Sequence, residues 1–221
     1  MIAFCSSMDQ AGPFSKDAFG CAALLDAMAS YDEKDSTSTK RDNINFEKSL
    51  LKDFGSLNIG VIKNIEKLGI SEDVINAYET SKTVLTGLGH KLIEVDFSEL
   101  SSGICSYYVI APAECSSNLS RFDGVKYGYR SDGDKDIVNL YMNTRSDGFG
   151  DEVKKRILIG THVLSAGFYD AYYLQAQKVR RMIKVKFENF FKDVDLIFMP
   201  TTLDQAFEKN RKSDDPNRMY K

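Results

Sequence analysis

A strand–helix–strand pattern between residues 57 and 97 constrains the fold of this chain more than any other feature. Leu57 to Lys63 is a short apolar run typical of a buried strand, and Lys91 to Phe97 is a second one. Between them, Ser71 is a candidate helix N-cap, and Gly87 and Gly89 mark the end of that helix. A unit of this kind, about 40 residues long, places its two strands in parallel, with a right-handed crossover in ~98% of cases. The sheet is therefore at least partly parallel.

Apolar periodicity predicts helices on both sides of this unit. The predicted helices cover residues 15–30, 104–122, 136–144 and 151–193, and a last strand covers 194–199. Ser15 is the expected N-cap of the first helix, and Pro112 should interrupt or kink the second. Gly160 and Gly167 are possible break points, so residues 151–193 should form two helices or one bent helix. We expect an α/β fold with a mixed sheet flanked by helices, and polar loops at 32–46 and 208–218.

Charge and cysteine content exclude several classes of protein. The 221 residues carry a net charge of -3, which argues against a broad basic face for nucleic acid. The four cysteines lack Cys-x-x-Cys spacing, so neither a zinc site nor a disulfide framework is expected. No signal sequence is recognisable after Met1, and no window approaches about 18 apolar residues, so the sequence predicts a cytoplasmic protein without a membrane span.

Four segments resemble one known family. They are Ile2 to Pro13, which contains Ser-Met-Asp-Gln-Ala-Gly-Pro, Tyr107 to Gly124, Gly148 to Ile157, and Leu164 to Arg180. Together they are similar to the amidase-signature family, in particular to the A subunits of aspartyl/glutamyl-tRNA amidotransferases. The resemblance runs on to Tyr220 and is loose only at residues 31–56 and 131–140.

The resemblance implies that residues 1–221 are a partial amidase-signature domain. In the family, a lysine, a cis-configured serine and a serine nucleophile in a Gly/Ser-rich loop all precede the Asp-Gln-x-Gly-Pro segment, and no segment here resembles that loop. We therefore expect the C-terminal part of the fold, without its catalytic half and without its extreme C-terminus. No catalytic residue is assigned, and Ser6 and Ser7 are not the nucleophile. The chain should be inactive alone.

Arg156 is the first candidate for substrate binding. The resemblance implies that this arginine holds the α-carboxylate of glutamine, and a planar guanidinium can bind a carboxylate through two parallel hydrogen bonds. Without the resemblance, Lys154, Lys155 and Arg156 would be a solvated basic face near a helix start. Tyr107 and Tyr108 are implied to lie beside the same site, and their spacing on a helix allows only one of them to contact ligand. Tyr107 is the better candidate, although core packing is an open alternative.

Asp9, Gln10 and Gly12 are implied to lie near the active site. Read alone, Asp9 and Gln10 would be a solvent-facing loop pair. The family has an acidic residue three positions after a Met-Tyr pair, where it binds the substrate ammonium, whereas Met219-Tyr220 is followed here only by Lys221. The glutamine site should therefore be incomplete.

A polar cluster lies at the end of the predicted helix 104–122. Asn118, Arg121, Asp123 and Tyr129 would order a loop beside the active site or at the interface with a partner protein. The alternative is a capped helix end in which Arg121 and Asp123 pair in solvent. His90 and His162 should be structural, because the mechanism implied by the resemblance uses no histidine.

The implied activity is glutamine hydrolysis that supplies ammonia for converting Glu-tRNA(Gln), or Asp-tRNA(Asn), into the amidated product. The partners would be amidotransferase B and C subunits, with misacylated tRNA bound through the complex. No cofactor or metal is expected on this chain, which has no Gly-x-x-x-x-Gly-Lys motif; ATP and Mg²⁺ would be used by the B subunit. The alternatives are an amide hydrolase of other specificity and a non-catalytic fragment that docks on partner subunits.

Overall fold

Three short strands form a parallel sheet in the larger of two compact units. The computed structural model describes residues 2–40, 42, 44–133, 136–206 and 209. The larger unit consists of Met1–Asp9 and Ser56–Lys221, and the smaller one of Gln10–Gly55. The strands are β1 (Asn58–Ile62), β2 (Lys91–Val95) and β3 (Leu196–Phe198), in the order β2-β1-β3. The helices are α1 (Ala18–Met28), α2 (Phe46–Leu50), α3 (Glu72–Gly87), α4 (Gly103–Leu119), α5 (Ile137–Gly148), α6 (Asp151–Leu164) and α7 (Leu174–Phe190).

Strand β1 is the centre of the sheet and is almost fully buried. It pairs in parallel with β2, where Ile59 lies opposite Leu92, and with β3, where Ile59 lies opposite Leu196. Helix α3 makes the crossover from β1 to β2. The α/β class and the parallel pairing are confirmed. The three described strands are all parallel, so the antiparallel pair that a mixed sheet requires is not among them.

Tyr78 on α3 joins the helix to the sheet. Its hydroxyl accepts a hydrogen bond from the Ile62 amide at 2.8 Å and donates one to the Phe198 carbonyl at 3.1 Å. Its ring stacks on that of Phe198 with 4.9 Å between centroids. The same cluster includes the buried side chains of Val61, Val95 and Phe97. One side chain therefore fixes α3, β1 and β3 relative to one another.

Helix α4 packs against both α6 and α7. It continues through Pro112, so the helix is not interrupted there, while a kink at the proline stays a prediction. Gly160 lies inside α6, where an added Cβ would come within 1.9 Å of the Pro112 carbonyl oxygen. The glycine therefore permits backbone contact between the two helices and does not break α6. The break falls instead at 165–168, where Gly167 has a positive φ of 88°, and a π-helical turn, Tyr169–Tyr173, leads into α7.

Two helix starts differ from the prediction. Asp17, not Ser15, caps α1 and accepts from the Gly20 amide at 2.7 Å. Within the predicted loop at 32–46, Asn45 caps the short helix α2, whose first amide, that of Phe46, donates to Asp26 at 2.7 Å. The loop expected at 208–218 and the segment Met219 to Lys221 lie outside the described residues, apart from Lys209. In the described parts of the chain, no helix is long and apolar enough to cross a membrane.

Candidate functional site

Residues 4–9 form a tight loop that lies against α4; we refer to it as the 4–9 segment. The Met8 and Asp9 amides both donate to the Cys5 carbonyl at 2.8 Å. The Asp9 carboxylate accepts from the amides of Phe4, at 2.8 Å, and Cys5, at 2.9 Å. From α4, the Asn118 amide group donates to the Phe4 carbonyl at 3.2 Å. The Asp9 carboxylate thus closes the loop and is not the free solvent-facing group that its sequence alone suggests.

Arg156 is held from three sides. It lies on α6, which begins at Asp151 with acidic residues in its first turn, and its Nε donates to Glu152, one turn earlier, at 3.0 Å. Its Nη1 donates to the Tyr107 hydroxyl on α4 at 3.1 Å. The guanidinium carbon lies 5.9 Å from the centre of the Phe4 ring. Only 14% of the side chain is exposed, so Arg156 is not part of a freely solvated basic face.

The charge of Arg156 is stabilised by these neighbours. The hydrogen bond to Tyr107 raises the pKa of the guanidinium above its ordinary value; burial opposes this, and Glu152 adds to it. The contacts use only part of the N–H donors of a guanidinium. The arrangement can therefore offer a fixed, permanently charged donor pair to a ligand carboxylate.

The two neighbouring tyrosines differ in exposure. Tyr107 is 36% exposed and accepts the Arg156 hydrogen bond. Tyr108 is less exposed, and its ring meets that of Tyr107 edge-on, with 5.4 Å between centroids. The structure therefore brings Tyr107 to Arg156, in line with the preference for Tyr107, while its contact with a ligand stays a prediction.

Gln10 and Gly12 belong to the smaller unit. Both are exposed there, and a Cβ added at Gly12 would meet nothing within 4 Å. Of the three residues expected near the active site, Asp9 is the one that lies in the same unit as Arg156.

Glu114 on α4 makes a second connection to the 4–9 segment. Its Oε2 accepts from the Ser7 amide at 2.9 Å and from the Cys5 thiol at 3.2 Å, and its Oε1 accepts from the Ser7 hydroxyl at 2.5 Å. Arg180 on α7 donates to the same Ser7 hydroxyl and lies 3.9 Å from Oε1 of Glu114. Gln177, one turn earlier on α7, accepts from Arg180. Three parts of the chain thus converge at Ser7.

These contacts change the pKa values of the Glu114 carboxyl and of the buried Cys5 thiol. Burial disfavours the charged form of Glu114, but the hydrogen bonds from Ser7 and Cys5 and the charge of Arg180 outweigh it, so the pKa of Glu114 is lowered. Burial, followed by the Glu114 carboxylate, raises the pKa of the Cys5 thiol to about 12. At neutral pH, Glu114 is therefore an acceptor and Cys5 a donor, as the hydrogen bonds require.

Cys115, the next residue on α4, is fully buried. Burial raises the pKa of its thiol, Arg156 opposes the shift and Asp9 adds to it.

An open cleft of about 410 Å³ lies beside Ser7. It is lined by Ser7, Gln177, Arg180, Arg181 and Lys184. Because three of these five residues are cationic, the cleft has positive walls. Among the described residues, no cluster of histidine, cysteine, aspartate or glutamate has the arrangement of a metal site.

The polar cluster at the C-terminal end of α4 binds the 4–9 segment and local backbone groups. Asn118 donates to Phe4 and, at 2.7 Å, to the Ser6 hydroxyl. Arg121 donates to the Asn118 carbonyl at 3.0 Å, and Asp123 accepts from the Val125 amide at 2.9 Å. Asn118 therefore orders the 4–9 segment, while Arg121 and Asp123 cap local turns instead of pairing with each other.

Sequence reasoning missed Glu114, Ser7, Arg180 and Phe4. Glu114 stands between alanine and cysteine in a mostly apolar helix, and a lone acid in such a context is a signal of a buried polar contact. His90 Nδ1 accepts from the Leu57 amide at 3.3 Å. The His162 ring lies tilted against that of Phe168, with 4.2 Å between centroids, so both histidines make structural contacts.

Comparison with known proteins identifies the family. A family model described as Amidase matches residues 1–221. The chain is 50% identical over 220 residues to the A subunit of glutamyl-tRNA(Gln) amidotransferase from Nitrosomonas europaea, and covers 45% of that protein. It is 47% identical to the A subunit from Coxiella burnetii, of which it covers 46%. The chain thus spans somewhat less than half the length of these relatives.

Solved structures show the same fold. The crystal structure of the A subunit of glutamyl-tRNA(Gln) amidotransferase from Thermotoga maritima matches 99% of this chain and 42% of that one, with 32% identity and a TM-score of 0.72. A bacterial aryl acylamidase of the amidase-signature family matches 87% of the chain at 18% identity and a TM-score of 0.63, which shows likeness of fold alone. The expected fold is confirmed, and the chain belongs to the amidase family.

Proposed function

We propose that this chain supplies the glutamine-binding part of the A subunit of a tRNA-dependent amidotransferase. Arg156 binds the α-carboxylate of glutamine, and Tyr107 orients the guanidinium and forms one wall of the site. The hydrolysed amide yields ammonia, which a partner protein transfers to glutamate on tRNA(Gln) or to aspartate on tRNA(Asn). Residues 1–221 are then part of one amidase-signature domain.

The arrangement of Arg156 is the observation that supports this proposal most strongly. A carboxylate ligand needs a charged, planar donor whose orientation is fixed before binding. The hydrogen bonds to Glu152 and Tyr107, at 3.0 and 3.1 Å, supply that orientation. Tyr107 is partly exposed, so a ligand can reach the edge where the two side chains meet.

The covalent step requires residues that these 221 positions do not supply. An amidase needs an activated nucleophile and an oxyanion site, and no segment of the sequence resembles the family's Gly/Ser-rich loop or its lysine. The chain by itself is therefore inactive, and its task is to bind and orient glutamine. In the complex, B and C subunits complete the enzyme, ATP and Mg²⁺ act in the B subunit, and the misacylated tRNA binds through the assembly in the cytoplasm.

A second candidate is an amide hydrolase that acts without tRNA. The solved aryl acylamidase shares the fold, but fold alone does not define a substrate. The Ser117 to Gly124 run and the Tyr169 to Tyr173 run resemble the tRNA-dependent subunits. The Nitrosomonas europaea relative, which is 50% identical over the 220 matched residues, carries that name. We therefore favour the amidotransferase over the simple amidase, and over a fragment that only docks on partner subunits.

The test is a hybrid enzyme in which this chain replaces the matching 45% of the Nitrosomonas europaea A subunit, assembled with the B and C subunits of that organism. We expect the hybrid to release ammonia from glutamine and to form Gln-tRNA(Gln), and the chain alone to release no ammonia above the blank. A hybrid that uses free ammonia but not glutamine would contradict the proposal that this chain binds glutamine. Ammonia release by the isolated chain would show that it carries its own nucleophile.

A further inference from the structure

Glu114 lies on the same face of α4 as Tyr107. Residues 107, 111, 114 and 118 recur at helical spacing, so Tyr107, Ala111, Glu114 and Asn118 form one stripe along two to three turns. Ala111 is fully buried in this stripe, Tyr107 contacts Arg156, and Glu114 and Asn118 both bind the 4–9 segment. The segment thus follows the face of α4 that leads to Arg156.

We propose that Glu114, together with Arg180, is a positioning residue for glutamine binding, which it supports by fixing the 4–9 segment so that Phe4 stays against Arg156. This inference rests on the proposed function, because it assigns Glu114 a role in the same site. Glu114 acts through the segment and touches neither the substrate nor Arg156.

The Glu114 carboxylate can hold the 4–9 segment because both of its oxygens accept hydrogen bonds from that segment. The Ser7 amide and hydroxyl and the Cys5 thiol all donate to it, and only 16% of its side chain is exposed. A glutamine at position 114 would keep the shape, but its N–H₂ group could only donate to the Ser7 hydroxyl, which already accepts from Arg180, and the hydroxyl proton would lose its acceptor. Since hydrogen bonds to a charged group are stronger than those to a neutral one, this change should release the segment without emptying any space.

Arg180 fixes the orientation of the Ser7 hydroxyl. Its Nη1 donates to the Ser7 hydroxyl, whose own proton goes to Glu114, so the hydroxyl is oriented from both sides. Gln177 holds the other end of the guanidinium. The 4–9 segment is therefore fixed between α4 and α7 at Ser7, three residues from Phe4.

Phe4 transmits this position to Arg156. Its carbonyl is held by Asn118 and its amide by Asp9, so the backbone that carries the ring is fixed together with the segment. The ring centre lies 5.9 Å from the guanidinium carbon, within the range of a cation–π contact. Loss of the segment would remove one of the three contacts that hold Arg156 and would admit water beside it.

Amide hydrogen exchange on the full 221-residue chain tests the structural half of the proposal without any substrate. The amides of Phe4, Cys5, Met8 and Asp9 bind acceptors other than Glu114. In Glu114→Gln they should exchange about tenfold faster, as local opening requires, while amides within α4 keep their protection. Unchanged exchange in the segment, or equal loss throughout α4, would overturn the positioning role.

Kinetics of the hybrid enzyme test the functional half. Glu114→Gln should raise the KM for glutamine about tenfold with little change in kcat, and ammonia-dependent amidation should be unchanged. Phe4→Leu should raise the KM similarly, and the double variant should not exceed the larger single effect, because both act on one contact. If the two substitutions multiply each other's effect on KM, Glu114 does not act through Phe4.

Glu79→Gln is the matched control, since Glu79 pairs with Lys82 on the surface of α3, and it should change neither exchange nor kinetics. If the unaltered hybrid fails to use glutamine, the proposed function fails. If the hybrid works and Glu114→Gln leaves the KM unchanged, this inference alone fails.

Discussion

The hydroxyl of Tyr107 accepts a hydrogen bond of 3.1 Å from Arg156, and this bond joins α4 to α6 at the candidate site. It fixes the orientation of the guanidinium and is also the main cause of the raised pKa of Arg156. Tyr107 can therefore support the binding of a carboxylate ligand indirectly, because it holds the Arg156 guanidinium in a fixed orientation.

Replacing Tyr107 by phenylalanine removes only this acceptor. Because a hydrogen bond to a charged group contributes about 1.5–3 kcal/mol, Tyr107→Phe should raise the KM for glutamine about tenfold in the hybrid enzyme. Tyr172→Phe is a control on an exposed tyrosine in the π-helical turn, and should have no effect. Equal kinetics for Tyr107→Phe and the unaltered enzyme would show that the bond has no part in binding.

The backbone contact between α4 and α6 gives a stability prediction. Gly160→Ala places a methyl group against the Pro112 carbonyl, a backbone atom that cannot move without shifting α4. Overpacking of this kind costs about 1–3 kcal/mol, so the midpoint of urea unfolding should fall.

Gly87→Ala is the matched control for that substitution. Gly87 is also in a helix, and a Cβ there meets nothing within 4 Å. This change should leave stability equal or raise it by up to about 1 kcal/mol, because alanine is the better helix former. Equal destabilisation by the two substitutions would argue against close packing at Gly160.

The Cys5 thiol predicts a loss of stability in alkaline solution. Its pKa is about 12 in the fold, chiefly because it is buried, against an ordinary value of 9.0. Between these values the unfolded chain releases the proton and the native chain keeps it, so unfolding is favoured as pH rises. The stabilisation is complete below about pH 9 and is lost toward about pH 12, with a slope of up to about 1.4 kcal/mol per pH unit.

Urea unfolding between about pH 8 and about pH 10.5 measures this slope. Cys5→Ala removes the titrating thiol and should give a shallower decline over the same range, whatever its stability at the lower pH. Parallel curves for the two proteins would mean that Cys5 does not titrate differently in the folded and unfolded states.

Local signals were sufficient to predict β1, α3 and β2, because apolar runs and terminal glycines act within a few residues. Ser71 stands at the N-cap position of α3, but its side chain makes no cap hydrogen bond. Tertiary contacts decided the rest. Pro112 stays within α4, where the close approach of Gly160 buries its carbonyl, and neither residue reveals the other in the sequence. Asp17 displaced Ser15 as the cap of α1 because its carboxylate reaches the Gly20 amide.

In the candidate site, too, some residues were predictable from the sequence and others depend on tertiary contacts. The resemblance implies Arg156 and Tyr107 as binding residues, and the structure joins them by a hydrogen bond, while their contact with glutamine stays a prediction. Glu114 and Ser7 lie 107 residues apart in sequence, so their contact could not be inferred from spacing. The role of Arg156 toward glutamine is the central claim, and a measurement must decide it.

That measurement is the kinetics of Arg156→Ala in the hybrid enzyme with two nitrogen donors. Because a charge-assisted bidentate contact contributes about 1.5–3 kcal/mol, kcat/KM for glutamine should fall at least about tenfold, and ammonia-dependent amidation should survive. Arg156→Lys should already impair glutamine use, since lysine lacks the planar fork, whereas Lys155→Ala should do little. Equal loss with glutamine and with ammonia would contradict the claim, because it would mean that Arg156 supports the fold and does not bind the substrate.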